Sequence, residues 1–246
     1  MHYNWDFSFL WQYRTFIAIG LGFTVLYALG TIVLGLIIGF VVGIARLGGS
    51  GDAAAEVAAP GAAGLRVLLT GRPYAAALRG LLFLYVEVFR CTPLLVQLIW
   101  FYYAFPVIVG IDIPAHIAAG MTLSLYTGAF YAEIIRGGVN SIERGQWDAA
   151  RAIGMRRGQV MRRVILPQAI KRMIPPFMNQ SITQLKNTSL VSTIAVSDLL
   201  YQGEIITATT YRPLEVYTAV AIIYFGVLFP LTLLAQLVEK RMAASD

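Results

Sequence analysis

Four long stretches of this sequence contain no Asp, Glu, Lys or Arg. They are residues 15–45, 91–111, 113–132 and 216–238, and each has at least 20 residues. A helix of about 20 mostly apolar residues is long enough to cross the ~30 Å hydrocarbon core of a bilayer. Buried helices of soluble proteins are normally shorter, so these stretches predict four membrane-spanning helices.

The composition supports this interpretation. Hydrophobic residues make up 58% of the 246 residues and charged residues only 13%, whereas a soluble domain carries about 25% charged residues. A fifth stretch, from about 176 to 200, is apolar overall but is interrupted by Gln180, Gln184, Lys186 and Asn187. We predict that this stretch also crosses the membrane.

The sequence therefore predicts an all-α fold, a polytopic membrane bundle of about five transmembrane helices with a long loop between the third and the fourth. Five spans leave no room for a separate soluble domain, so we expect one transmembrane domain over residues 1–246. The predicted helices lie near 17–45, 80–105, 114–136, 176–200 and 214–238, and the cytoplasmic loop covers 137–175.

The basic residues are unevenly distributed among the connections between these helices. Fifteen of the 19 lie in the first connection, the third connection or the C-terminal tail, whereas Arg14 and Arg212 lie on the opposite side. Lys and Arg are enriched in cytoplasmic loops, so we predict the N-terminus outside and the C-terminus in the cytoplasm. The fifth span is needed to place the third connection and the tail on one side. The net charge of +6 is explained by this topology and does not indicate nucleic-acid binding.

Few side chains of this sequence are suited to metal binding or catalysis. Cys91 is the only cysteine, and His2 and His116 are far apart in the sequence, so no Cys/His cluster has metal-ligand spacing. The sequence contains no His-Glu-x-x-His motif and no recognisable nucleophile with its base. We therefore predict no metal site, no catalytic residue and no enzyme activity on this chain. The first residues lack the features of a signal peptide, so the first helix is expected to be permanent.

Small residues mark two places in the first part of the chain. Gly35, Gly39 and Gly43 recur every four residues on one face of the first helix, where another helix can approach closely. That helix could belong to the same chain or to another subunit. The stretch 48–60, rich in Gly and Ala, is expected to be a flexible cytoplasmic connection.

A charged pair precedes a proline in the second predicted helix. Glu87 and Arg90 are three residues apart, so they are neighbours on a helix, and we predict a structural ion pair. Pro93 has no amide donor and disfavours helical backbone at Thr92. A helix start or a kink is therefore expected at this point.

The cytoplasmic loop 137–175 is predicted to contain two short helices. Gly145 and Gly154 bracket the first, and Gly154 is at a favoured position for ending a helix. Trp147, Ala150 and Ile153 are expected to share one face of it.

The second helix of the loop is basic and amphipathic. Val160 and Val164 are on one side, and the arginines at 156, 157, 162 and 163 are largely on the other. Pro167 is expected to bend or end this helix. Such a hairpin could lie on anionic lipid, pack on its own bundle, or dock into a partner protein, and residue chemistry alone does not choose among these.

A resemblance to a known family distinguishes among these three alternatives. Asp148-Ala149-Ala150 is followed after three residues by Gly154, and after nine more by Val164-Ile165-Leu166-Pro167. This pattern resembles the conserved cytoplasmic signature of binding-protein-dependent ABC importer permeases: Glu-Ala-Ala, three residues, Gly, nine residues, Ile-x-Leu-Pro. Asp148 replaces the Glu and Val164 replaces the Ile, and both changes are chemically mild.

Flanking stretches resemble the subgroup of these permeases that serves polar amino acids such as histidine, arginine, glutamine, glutamate and opines. They are residues 85–95, 131–138, 141–142 with 145–146, and 186–190. Many members of the subgroup carry Asp where this chain has Asn187.

The resemblance implies a function and a set of partners. The chain would be the permease subunit of an ATP-driven amino-acid importer in the bacterial inner membrane. Its partners would be an ABC ATPase dimer, a second permease (identical or homologous), an extracytoplasmic amino-acid-binding protein and membrane lipid. The ATPase-coupling residues would be Asp148, Ala149, Ala150, Gly154, Val164, Leu166 and Pro167.

ATP and Mg²⁺ would bind to the partner ATPase and not to this chain, which needs no cofactor. The sequence agrees, because a phosphate-binding loop requires Gly-Lys followed by Ser or Thr. The three lysines, Lys171, Lys186 and Lys240, follow Ile, Leu and Glu.

Polar side chains within a span usually face a cavity or a partner helix, and this predicts where solute passes. The candidates for the substrate path are Gln184, Lys186, Asn187, Thr188 and Ser189. Lys186 could neutralise a substrate carboxylate, pair with Glu87 or Glu133, or extend to the membrane interface. The alternative function is an ATP-independent channel or secondary transporter subunit for small polar solutes. Such a protein more often carries embedded acidic relays or inverted repeats, and neither is evident.

Overall fold

The computed structural model describes residues 3–47 and 73–243. The predicted flexible connection at 48–60 lies outside the described residues. Within them, every regular element is a helix, which confirms the predicted all-α fold.

The helices are numbered here in chain order. They are α1 (Arg14–Leu47), α2 (Pro73–Cys91), α3 (Leu94–Ile99), α4 (Phe105–Val109), α5 (Ala115–Asn140), α6 (Arg144–Ala152), α7 (Arg157–Val160), α8 (Leu166–Asn187), α9 (Leu199–Thr210) and α10 (Pro213–Ala243). Two π-helical turns, Trp100–Ala104 and Met161–Ile165, join α3 to α4 and α7 to α8, and 3₁₀ helices cover Ser8–Trp11 and Thr188–Ile194.

Two of the described helices, α1 and α10, are each long and apolar enough to cross a membrane. The α2 segment together with α3 and α4 provides a third candidate if it is counted as one broken span. The break lies between Cys91 and Leu94, at the predicted position beside Pro93. Length alone would allow α5, with its 26 residues, to span, but its sequence carries more polar side chains.

The prediction of one helix over 176–200 is wrong. The helix that enters this stretch, α8, ends at Asn187 and is followed by a 3₁₀ helix. Ala195 then takes a left-handed conformation with φ of +58°. Asp198 starts α9 by accepting a hydrogen bond from the Tyr201 amide at 2.8 Å, which is the usual role of an Asp at a helix N-terminus. Most of α9 consequently lies in the interval between the predicted helices 176–200 and 214–238.

The chain divides into two compact units, each described by itself. The first unit comprises residues up to Val33, Leu94–Ser124 and the residues from Met178 onward, and the second comprises Leu34–Pro93 and Leu125–Phe177.

The core of the first unit lies between α9 and α10. Leu199 and Ile206 of α9 pack with Val216 and Val220 of α10, and partly buried side chains from the chain start complete this core. Gly203 permits the close approach, because a Cβ there would lie 2.9 Å from a Val220 methyl group.

A buried carboxylate fastens the N-terminal segment within the first unit. Glu215 is fully buried and accepts hydrogen bonds from the Tyr3 hydroxyl (2.6 Å), the Asp6 amide (3.3 Å) and Arg212 (3.2 Å). The hydrogen bond to Glu215 raises the pKa of the Tyr3 hydroxyl, so Tyr3 remains a donor at neutral pH. We call Tyr3, Asp6, Arg212 and Glu215 the Glu215 clamp.

The glycine face of α1 packs against α5 of the same chain, within the second unit. A Cβ at Gly39 would lie 2.5 Å from the Tyr131 Cβ, and one at Gly43 would lie 3.0 Å from the Ile135 Cβ. Of the two alternatives left open by the sequence, the structure therefore shows packing within the chain.

Candidate functional site: the hairpin of α6, α7 and α8

The first helix of the hairpin, α6, ends in a tight turn at Gly154. Gly154 has φ of +80°, a conformation in which any Cβ is unfavourable. Its amide donates to the Arg151 carbonyl at 2.9 Å, and the Met155 amide donates to the Ala150 carbonyl at 3.2 Å. This pair of bonds is the Schellman arrangement, which satisfies the last free carbonyls of a helix. The predicted helix end at Gly154 is confirmed.

The two faces of α6 have different surroundings. Ala150 is 3% exposed and belongs to a hydrophobic core, which Trp147 also contacts. Asp148 and Ala149 are exposed on the other face. Ile153 is 78% exposed, so the prediction that it shares a face with Trp147 and Ala150 is wrong. Its backbone leaves the helical path because α6 ends at Ala152.

The second half of the hairpin is one long helical segment. It starts with α7, passes through the π turn Met161–Ile165 and continues as α8 to Asn187. The sequence predicts that Pro167 bends or ends this helix, and the structure shows that the helix does not end there. A proline removes one helical hydrogen bond and clashes with the carbonyl four residues earlier, and the wider π turn directly before Pro167 changes the geometry at that point. The four arginines at 156, 157, 162 and 163 are exposed, as predicted, and Val160 is buried.

A single core attaches the hairpin to the end of α5. Ile135 and Val139 of α5 pack with Ala150 of α6, Val160 of α7 and Ile165 of the π turn. The approach of α5 to α8 is close, since a Cβ at Gly138 would lie 2.3 Å from the Met173 Cγ. Arg172 also donates a hydrogen bond to the Ser141 carbonyl. The hairpin is therefore fixed to a long helix by hydrophobic packing and not only by its chain connections.

The structure divides the predicted coupling residues into two groups. Ala150 is buried and Val164 is half-buried, so both contribute to the support of the hairpin. The remaining members lie on its exposed surface: Asp148, Ala149, Gly154, Leu166 and Pro167. Ile153, which the signature does not include, is the most exposed large apolar residue of the hairpin.

A charged cluster lies in the same unit. Arg90 is 3.7 Å from Glu87 and 3.8 Å from Glu133. Arg46 and Arg136 also bind Glu133. Sequence reasoning identified the spacing of Glu87 and Arg90 but missed Glu133 as the centre of the cluster. The same three-residue spacing between Glu133 and Arg136 was the available signal.

The candidates for the substrate path differ in their surroundings. Gln184 is fully buried and donates to the Thr31 hydroxyl at 3.0 Å, and the buried Thr188 hydroxyl donates to the Leu185 carbonyl at 2.7 Å. Lys186 is exposed, and within the described residues it takes part in no ion pair. The pairing of Lys186 with an acidic residue that the sequence left open is therefore not observed. The Asn187 amide nitrogen is buried and has no hydrogen-bond partner among the described residues, and the Ser189 hydroxyl donates to the Lys186 carbonyl at 2.8 Å.

The described residues contain no group of three or more His, Cys, Asp or Glu side chains that could hold a metal ion.

Residues 67–244 match the family described as the binding-protein-dependent transport system inner membrane component. The chain belongs to this family. The arginine transport system permease protein ArtQ of Bacillus subtilis (strain 168) is 31% identical over 243 residues, which cover 99% of this chain and 100% of that protein. The glutamine transport system permease protein GlnP of Escherichia coli (strain K12) is 40% identical over 159 residues, which cover 64% of this chain and 73% of that protein.

Solved structures agree with this permease fold. A crystal structure of an amino acid ABC transporter with histidines has a TM-score of 0.81 and 31% identity, and the match covers 97% of this chain and 100% of that chain. An inward-facing structure of the MetNI methionine ABC transporter has a TM-score of 0.67 and covers 94% of this chain and 98% of that chain, and at 20% identity it supports the fold alone.

Family membership settles several predictions. The permease is a multi-pass inner membrane subunit of an ABC transporter, and ATP hydrolysis belongs to a separate ATPase. The permease itself is not an enzyme, and its family carries no cofactor. The alternative of an ATP-independent channel or secondary transporter is thereby set aside.

Proposed function

We propose that this permease forms half of the translocation path of an importer for a polar amino acid, and that the exposed face of its hairpin docks into the ATPase. The single observation that carries the docking proposal is the division of the hairpin into a buried face and an exposed face. Ala150 is held in the core while Asp148, Ala149 and Ile153 remain free for a partner. An apolar side chain as exposed as Ile153 is typical of an interface residue.

The class of solute follows from the relatives. Proteins named as glutamine and arginine permeases are 31–40% identical to this chain, and both solutes carry an amino and a carboxylate group. Lys186, Asn187 and Ser189 lie where α8 gives way to a 3₁₀ helix, and broken helices are frequent at binding sites of membrane transporters. These three residues are our candidates for solute contact, whereas Gln184 and Thr188 already bond within the protein.

The remaining parts of the proposal concern the assembly. The N-terminus lies outside and the C-terminus in the cytoplasm, as the distribution of basic residues indicates. The partners are two ATPase subunits, a second permease and an extracytoplasmic binding protein. The many exposed apolar side chains of α1 and α10 face lipid or the second permease.

Purification of the intact complex in mild detergent, followed by mass spectrometry, tests this proposal. We expect an ABC ATPase to accompany the permease. We expect Lys186→Glu to leave the ATPase bound while uptake of glutamine or arginine into proteoliposomes falls. Recovery of the permease without any ATPase, under conditions that preserve a control importer, would contradict the docking role of the hairpin.

A further inference from the structure

Glu133 of α5 is the centre of a cluster of three guanidinium groups. Arg136 binds both of its carboxylate oxygens through Nε, at 3.0 and 3.1 Å, and also through Nη2. Arg46 donates to Oε2 at 3.1 Å, and Arg90 lies 3.8 Å from the same oxygen. The side chains of Glu133 and Arg46 are only 19% and 11% exposed, so water screens these interactions weakly.

The arginines come from three different helices. Arg46 is in the last turn of α1, Arg90 is in the last turn of α2, and Arg136 is on α5 one turn from Glu133. One carboxylate therefore joins the ends of α1 and α2 to α5. Glu87, 3.7 Å from Arg90, is the second anion of the cluster, which has three positive and two negative groups.

The helix that carries Glu133 also carries the support of the hairpin. Ile135 and Val139 follow Glu133 on α5 and belong to the core that holds the hairpin helices. A displacement of the hairpin must therefore move this end of α5, and the cluster determines whether α1 and α2 follow.

We propose that Glu133 is a positioning residue for energy coupling, which holds the ends of α1, α2 and α5 together so that a displacement of the hairpin moves them as one body. This inference rests on the proposed docking of the hairpin to an ATPase. The Glu133 carboxylate touches neither solute nor nucleotide in this role and acts through the arginines that it binds.

The electrostatics predict what loss of the carboxylate does. Glu133→Gln leaves three guanidinium groups against the single charge of Glu87. Like charges repel strongly where solvent is largely excluded, and removal of one partner of a buried ion pair is costly because the other charges remain. The ends of α1 and α2 then separate from α5. The hairpin core is apolar and does not contain Glu133, so the surface offered to the ATPase is retained.

A distance measurement tests this directly. Cys91 is the only cysteine of the chain, is exposed and is the last residue of α2. Ile44 is exposed on α1 near Arg46. A spin-label pair at Cys91 and Ile44→Cys is introduced into the intact complex, diluted with unlabelled permease so that only distances within one chain are recorded. Pulsed electron paramagnetic resonance is then measured without nucleotide and after trapping with Mg-ATP and vanadate.

With Glu133 present, we expect one narrow distance that is the same in both states. With Glu133→Gln, we expect the distribution to widen and shift outward on trapping, and uptake per ATP hydrolysed to fall on the order of tenfold while basal ATP hydrolysis is kept. Glu133→Asp retains the charge and should stay close to the wild type. A merely structural role would lower complex yield and basal hydrolysis together and would leave uptake per ATP unchanged.

Each other outcome has a defined meaning. A narrow, unchanged distance in Glu133→Gln, or a distance that changes in the wild type itself, overturns the inference and leaves the proposed function intact. Absence of the ATPase from the wild-type complex overturns the proposed function, and the inference with it. If Glu133→Gln does not assemble, Arg90→Gln serves in its place, because it removes the longest of the three contacts and leaves Glu133 paired. A distance that stays narrow in Arg90→Gln on trapping would again count against the inference.

Discussion

Two regions of the permease, one in each unit, are built around a glutamate, and they use it differently. In the Glu215 clamp, the carboxylate takes its hydrogen bonds from the chain start and from Arg212 in the adjacent turn. In the charged cluster of the second unit, Glu133 takes its partners from the three helices α1, α2 and α5. The first arrangement fastens a terminal segment, whereas the second joins helices whose packing continues into the hairpin.

The left-handed turns of the two units differ as well. The hairpin turn has glycine at its left-handed position, Gly154 with φ of +80°, while the turn before α10 has Tyr211 with φ of +55°. A tyrosine in this conformation is strained by about 1–2 kcal/mol relative to glycine. The hairpin turn therefore avoids the backbone strain that the exposed turn at Tyr211 carries.

The largest expected effect concerns the exposed face of the hairpin. Ile153→Asp places a charge on a side chain that is 78% exposed and contributes nothing to the core, so the permease should fold normally. We expect ATPase binding to weaken by roughly 30-fold or more, the effect of losing an apolar interface anchor. Co-purification measured at several detergent concentrations checks this, with Ile153→Leu and the outer Tyr211→Ser as matched controls. Equal ATPase recovery in all three variants would show that this face is not the docking surface.

The next prediction contrasts the two glutamates. Glu215→Gln removes the charge of the Glu215 clamp, so we expect faster proteolysis of the N-terminal segment and altered fluorescence of Trp5 and Trp11. Uptake per ATP should remain within about twofold of the wild type, since no residue of this clamp belongs to the hairpin core. A fall in uptake per ATP as large as that of Glu133→Gln would contradict the different roles assigned to Glu215 and Glu133.

A smaller effect is expected at the hairpin turn. Gly154→Ala puts a Cβ on a left-handed residue and should destabilise the turn by about 1–2 kcal/mol. No atom lies within 4 Å of that Cβ, so the cost is conformational and not steric. Thermal unfolding of the purified permease measures it, and Gly145→Ala, at an open helical position of α6, is the matched control. A melting temperature that is unchanged in Gly154→Ala and lowered in Gly145→Ala would contradict the assigned turn.

The smallest effect is expected at the outer turn. Tyr211→Gly relieves the strain of a left-handed tyrosine, but glycine also increases the entropy of the unfolded chain. We expect a net stabilisation of at most about 1 kcal/mol, seen as a small rise in the melting temperature. A clear drop would mean that the Tyr211 side chain makes a contact that outweighs the strain of its backbone.

Much of this architecture could be predicted from the sequence because its signals are local. The uncharged stretches identify α1 and α10, Pro93 marks the break before α3, and Gly154 marks the end of α6. In each case one residue type or one composition determines the local backbone.

The remaining features depend on contacts between distant residues. Hydropathy is averaged over a window, so it could not reveal that α8 stops at Asn187 or that Asp198 starts a new helix. The outward direction of Ile153 follows from the helix ending one residue earlier. The position of Glu133 among three arginines required the packing of α1, α2 and α5, which no spacing within one helix reports.

Cross-linking at position 153 tests the central claim most directly. A photoactivatable side chain is introduced at Ile153 in the intact complex, and equivalent variants at the buried Ala150 and the outer Tyr211 provide controls. We expect ATP-dependent cross-links to the ATPase from position 153 and none from position 211. A complex that retains its ATPase but forms no cross-link from position 153 would contradict the docking of this hairpin.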